Sequence, residues 1–332
     1  MGGNIMNISD KVRQRLRTFS NSLLQTQYPL LNVYKRHQDI RQGYIGVVYM
    51  LHRICNKDNS KLPPNEDLKI SPQHLQHIID RYKKAGFDFL SVSDVSHHIK
   101  QQKTFPKPFV CFTIDDGYMD NYVNAYPIFK RNHIPFCIYI ATDFIDKKAI
   151  LWWFDVENLI LSNESLTYKG KLIECKSRQQ KWDTFRIMRE DILQLNQNNL
   201  FKELPILFNG YNIDWLSSVT KYAMNWEQIE ELSRDPLCTI GGHTKSHLSL
   251  QGMNAHDTLS QITEGNQLIT QHTGQDVTHF SLPYGRTPDI DIDKELSLLG
   301  IQSISYANGG PINMNQDYIN NSIVYLPRQI LI

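Results

Sequence analysis

The chain is short of cysteine, of unbroken apolar runs and of any excess of charge, and each shortage removes a class of protein. Its five cysteines (Cys55, Cys111, Cys137, Cys175 and Cys238) are odd in number, scattered over 332 residues and form no C-x-x-C. Nothing there makes a disulfide framework; three lie in apolar surroundings and read as small core residues of a reducing compartment. No run is long or apolar enough for a membrane span, and the first thirty residues lack the apolar centre of a secretory signal. A cytoplasmic location is therefore expected. Lys and Arg number 35 against 34 Asp and Glu, a formal net charge of +1, which argues against a nucleic-acid binder driven by bulk electrostatics. What remains is ordinary globular composition, 41% hydrophobic and 21% charged, in a length that can bury a sizeable core.

Residues 1–40 read as a peripheral helical extension. Val12, Leu16, Phe19 and Leu23 recur at helical spacing, with Lys11, Arg13, Arg15 and Arg17 between them. Such a helix packs on the domain or, being basic and amphipathic, lies on a membrane surface; the second reading makes the protein membrane-associated. From 41 to 332 strands alternate with helices. Gly46–His52 is a strand ending in a histidine, and Ser71-Pro72 opens a helix through Lys84 whose buried stripe is Leu75, Ile78, Ile79 and Tyr82. Short strand and helix signals follow at 87–90 and 92–99, then a helix over 119–131 and a strand over 136–141. Alternation at this interval predicts βα units and a parallel sheet or barrel. Residues from about 150 to 225 break the rhythm and read as a helical insertion within one domain. Trp152, Trp153 and Phe154 open it, as a core-facing aromatic anchor rather than a sugar platform.

The stretch that organises the rest is Phe109-Val-Cys-Phe-Thr-Ile-Asp-Asp-Gly-Tyr118. Six apolar or β-branched residues read as a strand buried on both faces, with Asp115 and Asp116 at its carboxyl end and Gly117 free to turn. A solvated Asp-Asp-Gly turn is the simpler reading of this stretch alone. A second stretch, Gly241-Gly-His-Thr-Lys-Ser-His247, changes the balance. The i, i+4 spacing of His243 and His247 puts two imidazoles on one side of a helical turn, able to share an ion. Two His and one carboxylate form an open ligand set for Zn²⁺ or a similar divalent ion.

These residues resemble the polysaccharide deacetylases, metal-dependent carbohydrate esterases with the NodB-homology fold. Thr113-Ile-Asp-Asp-Gly117 is similar to their first motif, His243-Thr-Lys-Ser-His247 to the second and Phe280-Ser-Leu-Pro-Tyr-Gly285 to the third. The resemblance implies an irregular (β/α)₇ barrel over roughly residues 44–330. It implies Asp116, His243 and His247 as ligands of Zn²⁺, Co²⁺ or Ni²⁺, Asp115 as general base, and backbone N–H groups near Tyr284 at the oxyanion. The substrate implied is an amino-sugar glycan or its precursor, from which N-acetyl groups are removed. Two departures stand out. Where many relatives carry an arginine that orients the base, this chain has Ser281 or Leu282, and Arg328 or the nearer Arg286 is the candidate replacement. No histidine follows His279, so His52 is the available acid, as in a permuted branch acting on N-acetylglucosamine surface polymers. The remaining histidines, His279 included, read as surface residues. Deacylation of another small sugar amide, or glycan binding without catalysis on the same scaffold, stays open.

Overall fold

Phe109–Asp116 is a strand in which all eight residues are buried, as its unbroken apolar run requires of a strand covered on both faces. The computed structural model describes residues 30–31, 33–307 and 309–331. Seven strands run parallel and in chain order across one curled sheet: β1 (Tyr44–Leu51), β2 (Phe109–Asp116), β3 (Phe136–Ile140), β4 (Cys238–Gly242), β5 (His279–Ser281), β6 (Ser303–Tyr306) and β7 (Ile323–Pro327). The fold is thus the expected irregular (β/α) barrel. Short strands flank it: Ile312–Asn313 antiparallel to β1, Asp88–Phe89 parallel to β2 and Ile319–Asn320 antiparallel to β7. A last strand, β8 (Gln329–Ile330), pairs in parallel with β1. The chain therefore leaves β6 for β1 across the single residue Arg328, which joins the two ends of the sheet.

Helices form where the sequence supplies caps and an apolar stripe. Ser71 accepts a hydrogen bond from the His74 amide at 3.1 Å, Pro72 occupies the first turn of the Pro72–Lys84 helix, and Leu75, Ile78, Ile79 and Tyr82 are buried. Each such side chain contributes roughly 1.5–3 kcal/mol by leaving water. The expected helix over 119–131 begins instead as a π-helical turn, Asn121–Ala125, before the α-helix Tyr126–Asn132. Pro127 has no N–H to offer the Val123 carbonyl, so an α-helical ladder cannot run through this turn. Tight packing of strands needs the two glycines before His243: a Cβ on Gly241 would stand 2.4 Å from the Tyr139 ring, and one on Gly242 2.2 Å from Asn266 Oδ1.

The 150–225 region is not all helical. Alongside the helices Trp152–Leu161, Arg178–Gln194, Leu200–Leu207 and Ser217–Tyr222 it holds a hairpin, Ser165–Tyr168 with Lys171–Glu174. Lys169 and Gly170 both take left-handed angles, φ 50° and 72°, the pattern of a two-residue hairpin turn. The region is built into the core: Trp152, Val156, Phe185, Met188 and Ile192 belong to the same buried cluster as Phe280 of β5 and Ile304 of β6. The helix expected around Val12, Leu16, Phe19 and Leu23 lies outside the described residues. Among the described residues no helix is long and apolar enough to cross a membrane, and the five cysteines are free.

His279 is not a surface residue. It opens β5 with 1% of its surface exposed, and its ring bridges Ser93 and Ser303, Nε2 and Nδ1 each lying 2.8 Å from a hydroxyl oxygen. Hydroxyls can donate or accept, so two serines satisfy a neutral imidazole that the strand alternation points inward. Burial lowers its pKa to about 4 from 6.5. Between those values the unfolded chain binds a proton that the folded chain refuses, so stability falls as pH drops through this window, by about 3 kcal/mol. Urea unfolding midpoints measured from pH 7 to pH 4 should decline with that slope, and His279→Gln should flatten it.

Candidate active site

The site residues stand at the carboxyl ends of the parallel strands, where barrels of this kind build their sites. Asp115 and Asp116 end β2, His52 follows β1, His243 and His247 follow β4, Tyr284 follows β5, and Arg328 lies between β7 and β8. They line a cleft of about 270 Å³ together with Tyr118, Trp152 and Trp153.

Asp116, His243 and His247 converge. The two Nε2 atoms stand 3.3 and 3.1 Å from one oxygen, Asp116 Oδ1. One ligand atom from each residue lies within 4.8 Å of the others, and all three residues are buried. The convergence is not made by a helical turn. His243 to His247 is an irregular loop in which Thr244 and His247 have φ 65° and 55°, held by a hydrogen bond from the His247 amide to Thr244 Oγ1 at 2.9 Å. Asp116 (φ 81°) and Tyr284 (φ 56°) are left-handed too. Such angles cost a non-glycine residue about 1–2 kcal/mol each, and their gathering in one place is the mark of a backbone shaped for side-chain placement.

The arrangement fits a cation. His243 Nδ1 lies 2.8 Å from the Ser281 carbonyl, which only accepts, so Nδ1 carries the hydrogen and Nε2 presents a lone pair. A neutral ring then sets a lone pair against a carboxylate oxygen, a contact relieved by a proton or by a metal ion between them. Nitrogen, nitrogen and carboxylate oxygen with the remaining positions open suit Zn²⁺ or a similar divalent ion. His247 is steered by rings instead: Tyr284, Trp153 and Phe144 lie 4.6, 5.3 and 5.5 Å from it, centroid to centroid. Burial pushes Asp116 upward, but the imidazoles outweigh it and hold the carboxyl well below its ordinary range.

Asp115 faces a different partner. Arg328 grips it with both arms of the guanidinium, Nη1 to Oδ1 at 2.6 Å and Nη2 to Oδ2 at 2.7 Å, and also donates to Ser281 Oγ and Thr113 Oγ1. Burial raises the Asp115 pKa, yet Arg328, with His243, more than offsets it and keeps the group ionised. The other candidate, Arg286, is elsewhere: it pairs with Glu190 at 2.8 Å and reaches Gln251. His52 lines the cleft with its Nδ1 buried and unpartnered among the described residues.

The aromatic anchor does two jobs. Trp152 is 2% exposed, donates to the Tyr284 hydroxyl at 3.3 Å and lines the cleft, and Trp153 donates to the Tyr118 hydroxyl at 3.2 Å. Core packing and cleft lining are therefore not alternatives. Phe185 and Arg189, from the Arg178–Gln194 helix of the 150–225 region, also line the cleft. Nothing in the sequence singles them out, since the helix reads as one more amphipathic segment.

A model of the family described as Polysaccharide deacetylase matches residues 102–304, more than half of the chain. The chain belongs to the polysaccharide deacetylase family. The matched segment holds both aspartates, His243 and His247, while His52 and Arg328 fall outside it. Solved structures of similar fold include IcaB from Ammonifex degensii, at 17% identity and TM-score 0.56 over 87% of this chain and 92% of that one. The Streptococcus pyogenes deacetylase PplD, solved in complex with acetate, is 15% identical with TM-score 0.55 over 86% of this chain and 92% of that one. YxkH of Bacillus subtilis (strain 168) is 30% identical over 84 residues, 25% of this chain, and the match spans only 27% of that protein.

Zn²⁺ titrated into metal-free protein should bind at one ion per chain, followed by calorimetry against a competing chelator. His247→Ala and Asp116→Ala should each weaken that binding by more than about a hundredfold, beyond what loss of a supporting hydrogen bond causes.

Proposed function

We propose that the protein is a metal-dependent hydrolase that removes N-acetyl groups from an amino-sugar polysaccharide or its precursor, the work being done by residues 41–332 as one catalytic unit in a reducing, cytoplasmic setting. The observation that carries this reading is the pairing of two different acids: Asp116 in a three-residue ligand set, and Asp115 beside it, ionised and outside that set.

Asp116, His243 and His247 would hold the ion, a donor set that suits Zn²⁺, with Co²⁺ or Ni²⁺ as alternatives. A bound ion supplies a lowered pKa for water and polarisation of the acetamide carbonyl. Asp115 takes the proton of the attacking water at a carboxylate oxygen. Arg328 fixes that carboxylate in one plane, so that its basic electron pairs point in a set direction. Amide nitrogen departs poorly as an anion, and His52, with one ring nitrogen unpartnered, delivers the proton it needs. A backbone N–H near Tyr284 would serve the developing oxyanion, those of Leu282, Gly285 and Arg286 being taken by the carbonyls of Ser305, Leu282 and Pro283. Tyr118, Trp152, Trp153 and Tyr284 give the cleft apolar faces against which a sugar ring and its acetyl methyl can pack. Lack of the third-motif arginine favoured a binding protein without catalysis; the two-armed contact of Arg328 with Asp115 supports the catalytic reading instead.

Metal-loaded protein should release acetate from N-acetylglucosamine oligomers. Formate release from formamido sugars, with acetyl sugars untouched, would replace the acetyl assignment. Asp115→Asn should keep its metal and lose about 10²–10⁴ in kcat. His52→Ala should behave alike, and full activity in that variant would remove the acid role. Arg328→Lys preserves the charge but not the two-armed grip, and a fall in kcat of about a hundredfold at unchanged metal content is expected.

A further inference from the structure

We propose that the substrate carries an anionic group, phosphate or carboxylate, beside the acetamido sugar, and that Arg189 binds it. The inference rests on the deacetylase reading and names the substrate class of the same cleft.

Charge in the cleft is otherwise spoken for. Asp115 and Arg328 answer one another, and Asp116 faces the two imidazoles. Arg189 is the remaining arginine on the lining. One of its nitrogens, Nη1, contacts Glu190 Oε1 at 2.5 Å, and Nε and Nη2 have no partner among the described residues. Glu190 does not neutralise it alone, because its other oxygen pairs with Arg286 at 2.8 Å. Two guanidinium groups thus share one carboxylate, leaving an excess positive charge at the rim.

The surroundings favour exchange of partners. Glu190 has 57% of its side chain exposed and Arg189 34%, and an ion pair that open is worth about 0–1 kcal/mol. An anionic ligand held against the apolar neighbours Phe185, Leu282 and Trp152 would meet Arg189 in a less screened setting. The free Nε–Nη2 edge is a planar two-donor fork, the shape that matches phosphate or carboxylate oxygens. A neutral acetylated glycan offers that fork only uncharged acceptors, its hydroxyl, ether and amide oxygens. The 150–225 region thereby supplies a specificity wall opposite the strand-end chemistry.

The test compares three probes on metal-loaded full-length protein: chitotetraose, which is neutral, N-acetylglucosamine 1-phosphate, and a hyaluronan tetrasaccharide carrying carboxylates. Dissociation constants come from calorimetry, and acetate release is followed in parallel. At least one anionic probe should bind roughly tenfold more tightly than chitotetraose, the scale of one charge-assisted contact. Arg189→Gln should bring that ratio close to one, and Glu190→Gln, which frees the guanidinium, should raise it. Preference for the phosphate probe assigns a phosphorylated substrate, and preference for hyaluronan an acidic glycan. Equal binding of all three probes, or a preference that survives Arg189→Gln, overturns the proposal. Acetate freed from chitotetraose without any anionic preference would leave the deacetylase reading standing and sink this one. Anionic preference lost in Arg189→Gln, with acetate released from no probe, would do the reverse.

Discussion

Two carboxylates on consecutive residues cannot both be buried unless each is answered by positive charge or by hydrogen-bond donors. That constraint governs the molecule. Asp115 and Asp116 end the central strand β2 at 2% and 4% exposure, and because neighbouring strand residues point to opposite sides, they need separate answers. Asp116 receives two imidazoles from the loop after β4. Asp115 receives a guanidinium from the far side of the sheet. The left-handed angle of Asp116 and the loop containing Thr244 and His247 are local costs of this arrangement, offset by the packing of the eleven-stranded sheet.

Arg328 serves the barrel as well as the acid. It is 1% exposed, sits where the chain passes from β6 to β1, and lies 5.5 Å above the Tyr139 ring. An uncompensated charge at such a place would cost about 3–5 kcal/mol, so the sheet junction and the orientation of Asp115 are held by the same side chain.

Much of this was legible in the sequence, for physical reasons that differ by residue. The run Phe109–Ile114 announces a doubly covered strand because no polar residue interrupts it, and Ser71-Pro72 announces a helix because the cap and the proline act within one turn. The convergence of Asp116, His243 and His247 was legible because these residue types have few uses in that order. Arg328 and Arg286 could not be separated, since the choice depends on which strand end closes on Asp115, a long-range matter of sheet pairing. His279 was misread because a lone histidine carries no mark of burial; Ser93 and Ser303, which satisfy it, are distant in sequence. The π-helical turn at Asn121–Ala125 and the Lys169-Gly170 hairpin turn left only weak traces, one proline and one glycine. Arg189 was invisible for a related reason, as a charged residue on an amphipathic helix gains meaning only from what its helix is laid against.

The separation of Asp115 from Arg328 along the chain has a kinetic corollary. They are 213 positions apart, and contacts of such range close late because the intervening chain must first surrender its freedom. Helices such as Pro72–Lys84 draw on neighbours in sequence and can form early. A refolding chain should therefore recover its helical dichroism well before the cleft is assembled, with the Asp115 carboxylate remaining unaimed until the sheet's two edges meet.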